Sequence, residues 1–346
     1  MPPTRPNIHE LARLSGVSVG TVSRALNGYA DVSPTTRERI MRIAQELDYT
    51  PAAAARTLVT QRSHVVGVFL ETGEGHPDVQ HPFFHEVLGG LKQYAGGAGY
   101  DLLIFASERP GNGYGTHSYL KRCRHHNVDG AVLMGTDEED PETRRLVRSD
   151  VATVGVDLEL EGPLTTTVVS DNEAGSAAAV RHLHELGHRR IAHISGMLDK
   201  RPGAERLRGY RHELQRLGVT PRDEYVGYGD FYVDSGYDAM QKLLALDERP
   251  TAVVVAADMT ALGAIRAANE AGLEVPRDLS VVGFDDIQLA GYLHPPLTTL
   301  RQQKTALGAE AGRALIRHIE GEKAVPATVT LPVDLIVRAS TAPPPS

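Results

Sequence analysis

The stretch from Ser15 to Asn27 constrains this chain most, because it joins two short helical patterns through a glycine. Its sequence is SGVSVGTVSRALN. Upstream, apolar residues recur at helical spacing from Ile8 to Leu14, and Asn7 stands where an N-cap belongs. Gly16 is typical of a helix end, and Ser18 is placed to cap a second helix. Two short helices joined by a tight turn predict a helix-turn-helix.

The outer face of the second predicted helix is unusually small or basic. It carries Val19, Gly20, Thr21, Ser23 and Arg24. A face of this kind can press into the major groove of DNA, where an arginine can read guanine. The alternative is that two short helices pack in an ordinary helical domain. A third predicted helix follows, from Val32 to Leu47, with Ser33 as its cap and Pro34 at its first position.

Three motifs in order give this region a family resemblance. They read GVSVGTVSRALNG, VSPTTRERI and YTPAAAARTL, and they lie within the stretch from Asn7 to Leu58. The segment resembles the headpiece of the LacI/GalR family of bacterial transcription regulators. The family's base-reading positions match Val19, Gly20 and Arg24, although Gly20 can read no base directly. The resemblance implies further DNA contacts, mostly to phosphate, from Asn7, Ser18, Thr21, Ser23, Asn27, Ser33, Thr36 and Tyr49.

The segment that follows the third predicted helix, Pro51 to Thr60, resembles the family's hinge. In the family this segment becomes helical on operator DNA and enters the minor groove. Leu58 matches the leucine that wedges into the central base step, and Ala55 lies on the approach to it. A helix of about ten residues is too short to be stable alone. We therefore expect its folding to be coupled to DNA binding.

Charge and cysteine content separate the head of the chain from its body. The 346 residues carry a net charge of −8, but the first 62 are basic and the remainder is acidic. Such asymmetry favours DNA contact at one end only. Cys123 is the only cysteine, which excludes an intramolecular disulfide. The sequence shows neither a secretory signal pattern nor an apolar run of transmembrane length, so we expect a cytoplasmic protein.

From His64 onward, short apolar strands alternate with amphipathic helices. Continuous β-branched runs such as Val65–Leu70 predict parallel sheets buried on both faces. The fold class expected is therefore α/β: a small all-α headpiece plus a two-lobed, doubly wound parallel-sheet core. The body also resembles the LacI/GalR family, whose core is of periplasmic-binding-protein type. Phrases that carry this resemblance include HPFFHEVLGGL, HLHELGHRRIAHISG and VVGFDD.

The resemblance also implies the domain boundaries. We expect a DNA-binding headpiece at 1–50, a hinge at 51–62 and an effector-binding and dimerisation core at 63–346. In the family the chain crosses between lobes three times, and by analogy the crossings lie near Pro163, Tyr292 and Pro326. The N-lobe would then hold about 63–163 and 293–326, and the C-lobe about 164–292 and 327–341. The chain lacks the leucine heptad of the family's tetramers, so we expect a homodimer.

Polar side chains at predicted strand ends indicate a ligand pocket. Asp157 and Asp285 each follow a strand, and Arg206 opens a helix after another. Carboxylates and arginine bind hydroxyls, while aromatic rings cover the C–H surface of a sugar. The expected effector-binding residues, all at positions that match effector contacts in the family, are Phe83, Phe84, Asp157, Lys200, Arg206, Phe231, Asp285 and Gln302. The alternative for each acid is a helix cap, the role expected of Asp171 and Asp258.

Two motifs suggest other chemistry. His184-Glu185-Leu186-Gly187-His188 matches the zinc-protease pattern, but Gly187 is expected to end the helix and so separate the two histidines. Gly111 to Gly115 suggests a phosphate loop, yet it lacks the dinucleotide spacing and is better explained as an ordinary loop.

We therefore expect a ligand-responsive transcription regulator, and specifically a repressor of carbohydrate-utilisation genes. Its effector is expected to be a mono- or oligosaccharide, with no cofactor, no metal and no enzymatic activity. Its expected partners are a pseudo-palindromic double-stranded operator and a second copy of the chain, with no membrane. Three alternatives remain: a nucleobase-responsive regulator of the same family, a transport-type sugar-binding protein and a zinc hydrolase.

Overall fold

The computed structural model of the chain describes residues 6–26, 29–49, 62–71, 81–106 and 118–345. The chain divides into two compact units, residues 1–64 and residues 65–346. None of the helices within the described ranges is long and apolar enough to cross a membrane.

Within its described residues, the first unit contains three helices: α1 (Ile8–Ser15), α2 (Val19–Leu26) and α3 (Pro34–Glu46). The expected caps are present. The Asn7 side chain accepts hydrogen bonds from the backbone N–H groups of residues 9 and 10, and the Ser33 side chain accepts one from that of residue 36. Gly16 ends α1 with φ of 65°, a left-handed conformation that glycine adopts without steric cost. The three helices enclose a small core of Leu11, Val22 and Ile40.

The first sheet of the second unit contains the strands β1 (Val65–Leu70), β2 (Asp101–Phe105), β3 (Gly130–Met134), β4 (Ala152–Val156), β5 (Thr165–Ser170) and β11 (Thr328–Leu331). Their order is β11-β5-β4-β3-β1-β2, and every pairing is parallel. The associated helices are α4 (Pro82–Gly97), α5 (Tyr119–His125), α6 (Pro141–Val147) and α11 (Lys304–Ile319). Apolar clusters on the two faces of this sheet bury β3 completely.

The second sheet contains β6 (Ile191–Ser195), β7 (Val226–Tyr228), β8 (Ala252–Val255), β9 (Ser280–Asp285), β10 (Thr298–Gln302) and β12 (Val333–Ile336). Its order is β12-β10-β9-β8-β6-β7, with β12 antiparallel to β10 and the other pairings parallel. The associated helices are α7 (Asn172–Glu185), α8 (Arg201–Arg216), α9 (Val233–Leu244) and α10 (Asp258–Glu270). The α/β class with a helical head and a two-lobed core is thus confirmed.

The three crossings between the sheets lie several residues further along the chain than the positions near Pro163, Tyr292 and Pro326 that the family analogy implied. Thr165 still pairs with Thr153 in the first sheet, and the chain crosses only after β5 ends at residue 170. The turn around Tyr292 stays in the second lobe, because β10 pairs with β9, and the crossing falls between β10 and α11. Pro326 precedes β11, and the last crossing falls between β11 and β12. Each expected position lies ahead of a strand that still belongs to the sheet that the chain is about to leave.

Candidate functional site

The outer face of α2 carries the predicted base-reading residues. Gly20 and Arg24 are exposed, while Val22 and Ala25 on the opposite face are fully buried. The Arg24 guanidinium lies 3.5 Å from the Asp31 carboxylate, and both side chains are more than half exposed. An exposed ion pair contributes little stability, so Arg24 can exchange this partner for a base or a phosphate.

Three of the other predicted DNA-contacting residues, Asn7, Ser18 and Ser33, cap helices in this structure. The hydroxyl of Ser18 accepts the backbone N–H of Thr21 at 3.1 Å, and that of Ser33 accepts the backbone N–H of Thr36 at 3.3 Å. These caps gather polar groups at the N-termini of α2 and α3, where backbone N–H groups favour an anion. Tyr49 instead packs against the helical core, and burial raises the pKa of its hydroxyl. Asn27, Ala55 and Leu58 lie outside the described residues, as does the rest of the predicted hinge.

All eight predicted effector residues line one cavity in the second unit. Asp157 follows β4 of the first sheet, whereas Asp285 and Gln302 end β9 and β10 of the second. The carboxyl ends of parallel strands from both sheets therefore meet at this cavity, where doubly wound folds bind ligands. Phe83 and Phe84 reach it from the first turn of α4, and Phe231 reaches it from the second lobe.

Arg206 is the buried cation of the cavity. Only 3% of its surface is exposed, and its guanidinium donates to the Asn172 side chain at 2.8 Å and to the Ala256 carbonyl at 2.6 Å. The guanidinium lies 3.8 Å from the Asp285 carboxylate, and its central carbon lies 3.7 Å from the centre of the Phe284 ring. These contacts hold the guanidinium in one orientation against the cost of burying its charge.

Several buried oxygens at the cavity wall have no partner among the described residues. They are Oδ1 of Asp157, Oδ2 of Asp285, Oε1 of Gln302 and Oγ1 of Thr136. The other carboxylate oxygen of Asp285 accepts from the Gln302 amide at 2.6 Å. Burial raises the pKa of Asp157 to about 6, although Arg206 opposes that shift. Buried acceptors without donors are costly, and their concentration here indicates a ligand rich in hydrogen-bond donors.

Backbone strain is concentrated at the same wall. The φ angles of Asp157, Phe231, Asp285 and Asp286 are 55°, 75°, 115° and 53°. Residues other than glycine rarely adopt φ angles in this region. Strain of this kind persists only where surrounding contacts hold it, and it is common at ligand sites.

Lys304 and Asp258 hold the strained turn at residues 285–287. The buried ammonium of Lys304 donates to the carbonyls of Asp285 and Asp286 and lies 3.3 Å from the Glu86 carboxylate on α4. Asp258 accepts the backbone N–H of Ile287 at 2.9 Å and the hydroxyl of Thr299 at 2.6 Å. The predicted cap role of Asp258 is therefore wrong, because its buried side chain turns towards the β9–β10 loop. Asp171 does cap α7, as expected.

Two cationic side chains of the second lobe reach the first lobe at the rim of the cavity. The Lys200 ammonium donates to the Thr136 carbonyl at 3.3 Å and lies 3.8 Å from the Asp137 carboxylate. The neighbouring Arg201 lies 3.4 Å from Glu159. Lys200, which was expected to bind the effector, thus also connects the two lobes.

The cavity includes residues that the sequence did not single out: His81, Thr136, Glu138, Met197, Asp199, Arg201, Asp230 and Tyr232. Thr136 follows β3 closely, so the strand-end argument could have found it. Asp230 and Tyr232 follow β7, a three-residue strand that was not predicted. His81 precedes helix α4 and does not directly follow a predicted strand, so the strand-end argument could not have found it.

The zinc-like motif is interrupted as expected. Helix α7 ends at Glu185, and Gly187 has a φ of 104°. His188 therefore leaves the helix, and its buried ring pairs with Thr251 at 2.9 Å and Ser280 at 3.1 Å. The two histidines of the motif do not share a helical face. Within the described ranges, no group of three His, Cys, Asp or Glu side chains is placed to hold a metal ion.

A helix-turn-helix unit followed by a two-lobed core with a polar internal cavity defines a DNA-binding regulator that responds to a small molecule. Comparison with known proteins agrees. Residues 7–52 match the model of bacterial regulatory proteins of the lacI family, and residues 180–341 match a periplasmic binding protein-like domain.

Individual relatives match almost the whole chain. The HTH-type transcriptional regulator CelR of Thermobifida fusca is 36% identical over 338 residues, which cover 97% of this chain and 98% of CelR. A solved complex of the regulator CelR with cellobiose is 33% identical with a TM-score of 0.72, over 97% of this chain and all of that one. A Lac repressor dimer bound to operator is 30% identical with a TM-score of 0.82, over 98% of this chain and all of that one.

The chain therefore belongs to the lacI family of bacterial regulatory proteins, and it is a DNA-binding transcription regulator.

Proposed function

We propose that this regulator is a repressor of carbohydrate-utilisation genes whose operator affinity is set by a sugar bound between the core lobes. The observation that carries the proposal is the cavity wall, where unpaired oxygens of Asp157, Asp285 and Gln302 stand beside aromatic rings. Sugar hydroxyls supply the missing donors, and the rings cover the apolar faces of the sugar. The CelR relative, which was solved in complex with cellobiose, supports a saccharide effector.

The proposed DNA-bound form is a homodimer that holds a pseudo-palindromic operator, with one headpiece on each half-site. Support comes from the Lac repressor relative, which was solved as a dimer on its operator. In each headpiece, α2 would lie in the major groove, with Arg24 and Val19 towards base edges and the N-termini of α2 and α3 towards phosphates. The protein would act by binding alone, without catalysis or a cofactor, in the cytoplasm where the chromosome lies.

The proposed function also implies a domain organisation. A headpiece at 1–50 is joined by a hinge at 51–62 to the effector-binding and dimerisation core. The sugar would bind one arrangement of the two lobes better than the other, and only such differential binding can change operator affinity.

The first experiment is to select operator DNA from a random library with the full chain and measure its affinity with and without candidate ligands. A panel of uncharged mono- and disaccharides, including cellobiose and D-ribose, is compared with hypoxanthine. We expect one saccharide to change operator affinity by at least about fivefold, the lower end of typical allosteric coupling. A response to hypoxanthine alone would support the nucleobase alternative, and failure to select any sequence would contradict operator recognition.

A further inference from the structure

His81 is a buried histidine at the cavity for which the family resemblance assigned no role. It stands at the N-cap position of α4 without capping the helix through its side chain, and only 6% of its surface is exposed. Neither Nδ1 nor Nε2 makes a hydrogen bond of normal geometry to the described residues, although the Phe231 backbone lies beside the ring. Buried polar atoms are nearly always paired in folded proteins. Since this ring lines the cavity, a ring nitrogen is available to a ligand there.

The ring of His81 stands where the two lobes face each other across the cavity. Its centre lies 5.8 Å from that of Phe84 on α4 of the first lobe, and 5.3 Å from that of Tyr232, which precedes α9 of the second lobe. Both pairs are edge-on, with interplanar angles of 64° and 84°. A ligand group bound to His81 is therefore flanked by aromatic rings from both lobes.

The protonation state of His81 restricts what that group can be. Burial lowers the pKa of its imidazole, and Arg206 and His85 act in the same direction, while Asp285 and the Phe231 backbone oppose them. The ring is therefore neutral near pH 7, with one N–H donor and one acceptor nitrogen. A hydroxyl group can satisfy either nitrogen. A phosphate or carboxylate would only accept, and beside this ring it would also face the unpaired oxygens of Asp157 and Asp285, which oppose the attraction of Arg206 and of the rim cations Lys200 and Arg201.

We propose that His81 is a specificity-determining residue, which hydrogen-bonds a hydroxyl group of an uncharged saccharide where the two lobes meet. This inference rests on the proposed function, because it requires a sugar in the cavity. It goes further by excluding phosphorylated and acidic sugars as the preferred effectors. It also assigns the preference for an uncharged sugar to one side chain.

The test compares two substitutions of His81 with one of its neighbour. His81→Phe keeps an aromatic ring but removes both nitrogens, whereas His81→Gln keeps a donor and an acceptor. His85→Gln is the control, since His85 is exposed one turn further along α4. Isothermal titration calorimetry measures binding of cellobiose, D-ribose, other uncharged mono- and disaccharides, glucose 6-phosphate and hypoxanthine to each full-length protein. Thermal unfolding is recorded without ligand.

We expect the tightest ligand of the wild-type protein to be an uncharged saccharide. For that sugar, His81→Phe should weaken binding by about tenfold, the value of one typical hydrogen bond, while His81→Gln and His85→Gln should change it by less than about threefold. Without ligand, His81→Phe should unfold at the same or a higher temperature than wild type, because it removes an unpaired buried polar group. A residue with a purely structural role would lose stability instead.

Three results would overturn the inference, and they separate it from the proposed function. Unchanged sugar binding by a folded His81→Phe would show that His81 does not contact the effector. Tighter binding of glucose 6-phosphate than of any uncharged sugar would contradict the exclusion of charged sugars, although the effector would still be a sugar. If hypoxanthine alone bound the wild-type protein, the sugar effector itself would be wrong, and the inference would fail with it.

Discussion

At the scale of single residues, Arg24 and Asp157 show how one structure serves two kinds of recognition. Arg24 is exposed and held only by a weak ion pair to Asp31, so its guanidinium can move to a new partner. Asp157 is fixed in a strained, half-buried position, and its buried Oδ1 has no partner among the described residues, so its partner must come to it. The first arrangement suits a long DNA surface and the second a small ligand.

Arg24→Ala tests base reading by α2. We expect it to cost about 1–3 kcal/mol on operator DNA and much less on random DNA, because a bidentate contact to guanine is specific to sequence. Competition binding on the two DNAs measures the difference. Arg42→Ala is the control, since Arg42 is exposed on α3 and pairs only with Glu46 in the described structure. Equal losses on both DNAs would make Arg24 a phosphate contact.

Asp157→Asn tests the cost of the buried carboxyl. Because its pKa is raised from 3.8 to about 6, the folded protein binds this proton more tightly than the unfolded chain does. The carboxylate therefore opposes folding above about pH 6, and that opposition disappears as the pH falls through 6 towards 3.8. We expect Asp157→Asn to unfold at a higher temperature than wild type near neutral pH, by an amount that shrinks towards pH 4, while it weakens sugar binding.

The control for this prediction is Asp150→Asn. Asp150 is exposed, and its hydrogen bond to Arg124 lowers the pKa of its carboxyl, so its small effect on stability has the opposite sign. A pH-independent difference between Asp157→Asn and wild type, measured by thermal unfolding, would contradict burial as the cause of the shift.

At the scale of elements, the turn after β9 is connected to both lobes. It belongs to the second lobe and presents Asp285, yet the Lys304 that holds its carbonyls lies at a crossing and also pairs with Glu86 on α4. A ligand that binds Asp285 therefore acts on an element coupled to the first lobe.

Lys304→Met tests this connection. The substitution keeps the apolar stem but leaves two carbonyls of a strained turn without their donor, which costs about 1–3 kcal/mol for each group that stays buried and unpaired. We expect a lower unfolding temperature and at least about tenfold weaker binding of the saccharide that the screen identifies. Lys92→Met, on the exposed side of α4, should change neither quantity. Unaltered sugar affinity in Lys304→Met would show that the turn keeps its shape without the lysine.

The elements also show what the sequence could and could not predict. Strands such as β3 and β4 were predicted because burial on both faces demands a continuous apolar run. Strands β10, β11 and β7 were not predicted, because β10 mixes polar and apolar residues in TTLRQ, and β11 and β7 have only four and three residues, too few for a pattern to stand out. The expected lobe boundaries came from the family analogy, and β10 and β11 lie next to two of the crossings.

The cavity shows a similar division. Asp157, Arg206 and Asp285 were found because strand ends and helix starts bring polar groups together in any doubly wound fold. His81, Arg201 and Tyr232 were missed because their roles depend on how the two lobes face each other. Sequence spacing within one lobe contains no information about that relation.

At the scale of the whole molecule, the proposed function requires the cavity and the DNA-binding face to be two sites linked by free energy. The cavity is built from both lobes, so a ligand there favours one arrangement of the lobes over another. Linkage requires the effect to be reciprocal: if sugar changes operator affinity by some factor, operator must change sugar affinity by the same factor. Asp285→Ala should remove the coupling while leaving operator affinity without sugar unchanged, because it removes the ligand contact but not the DNA face.

The most direct test is to measure sugar affinity twice, by titration calorimetry on the free protein and on its operator complex. Operator affinity is measured in parallel with no sugar and with saturating sugar. Two ratios are compared: sugar affinity on the operator complex over that of the free protein, and operator affinity with sugar over that without it. We expect the two ratios to be equal and to differ from one by at least about fivefold, and both should become one in a folded Asp285→Ala. Tight sugar binding with no change in operator affinity would contradict the central claim that this cavity controls DNA binding.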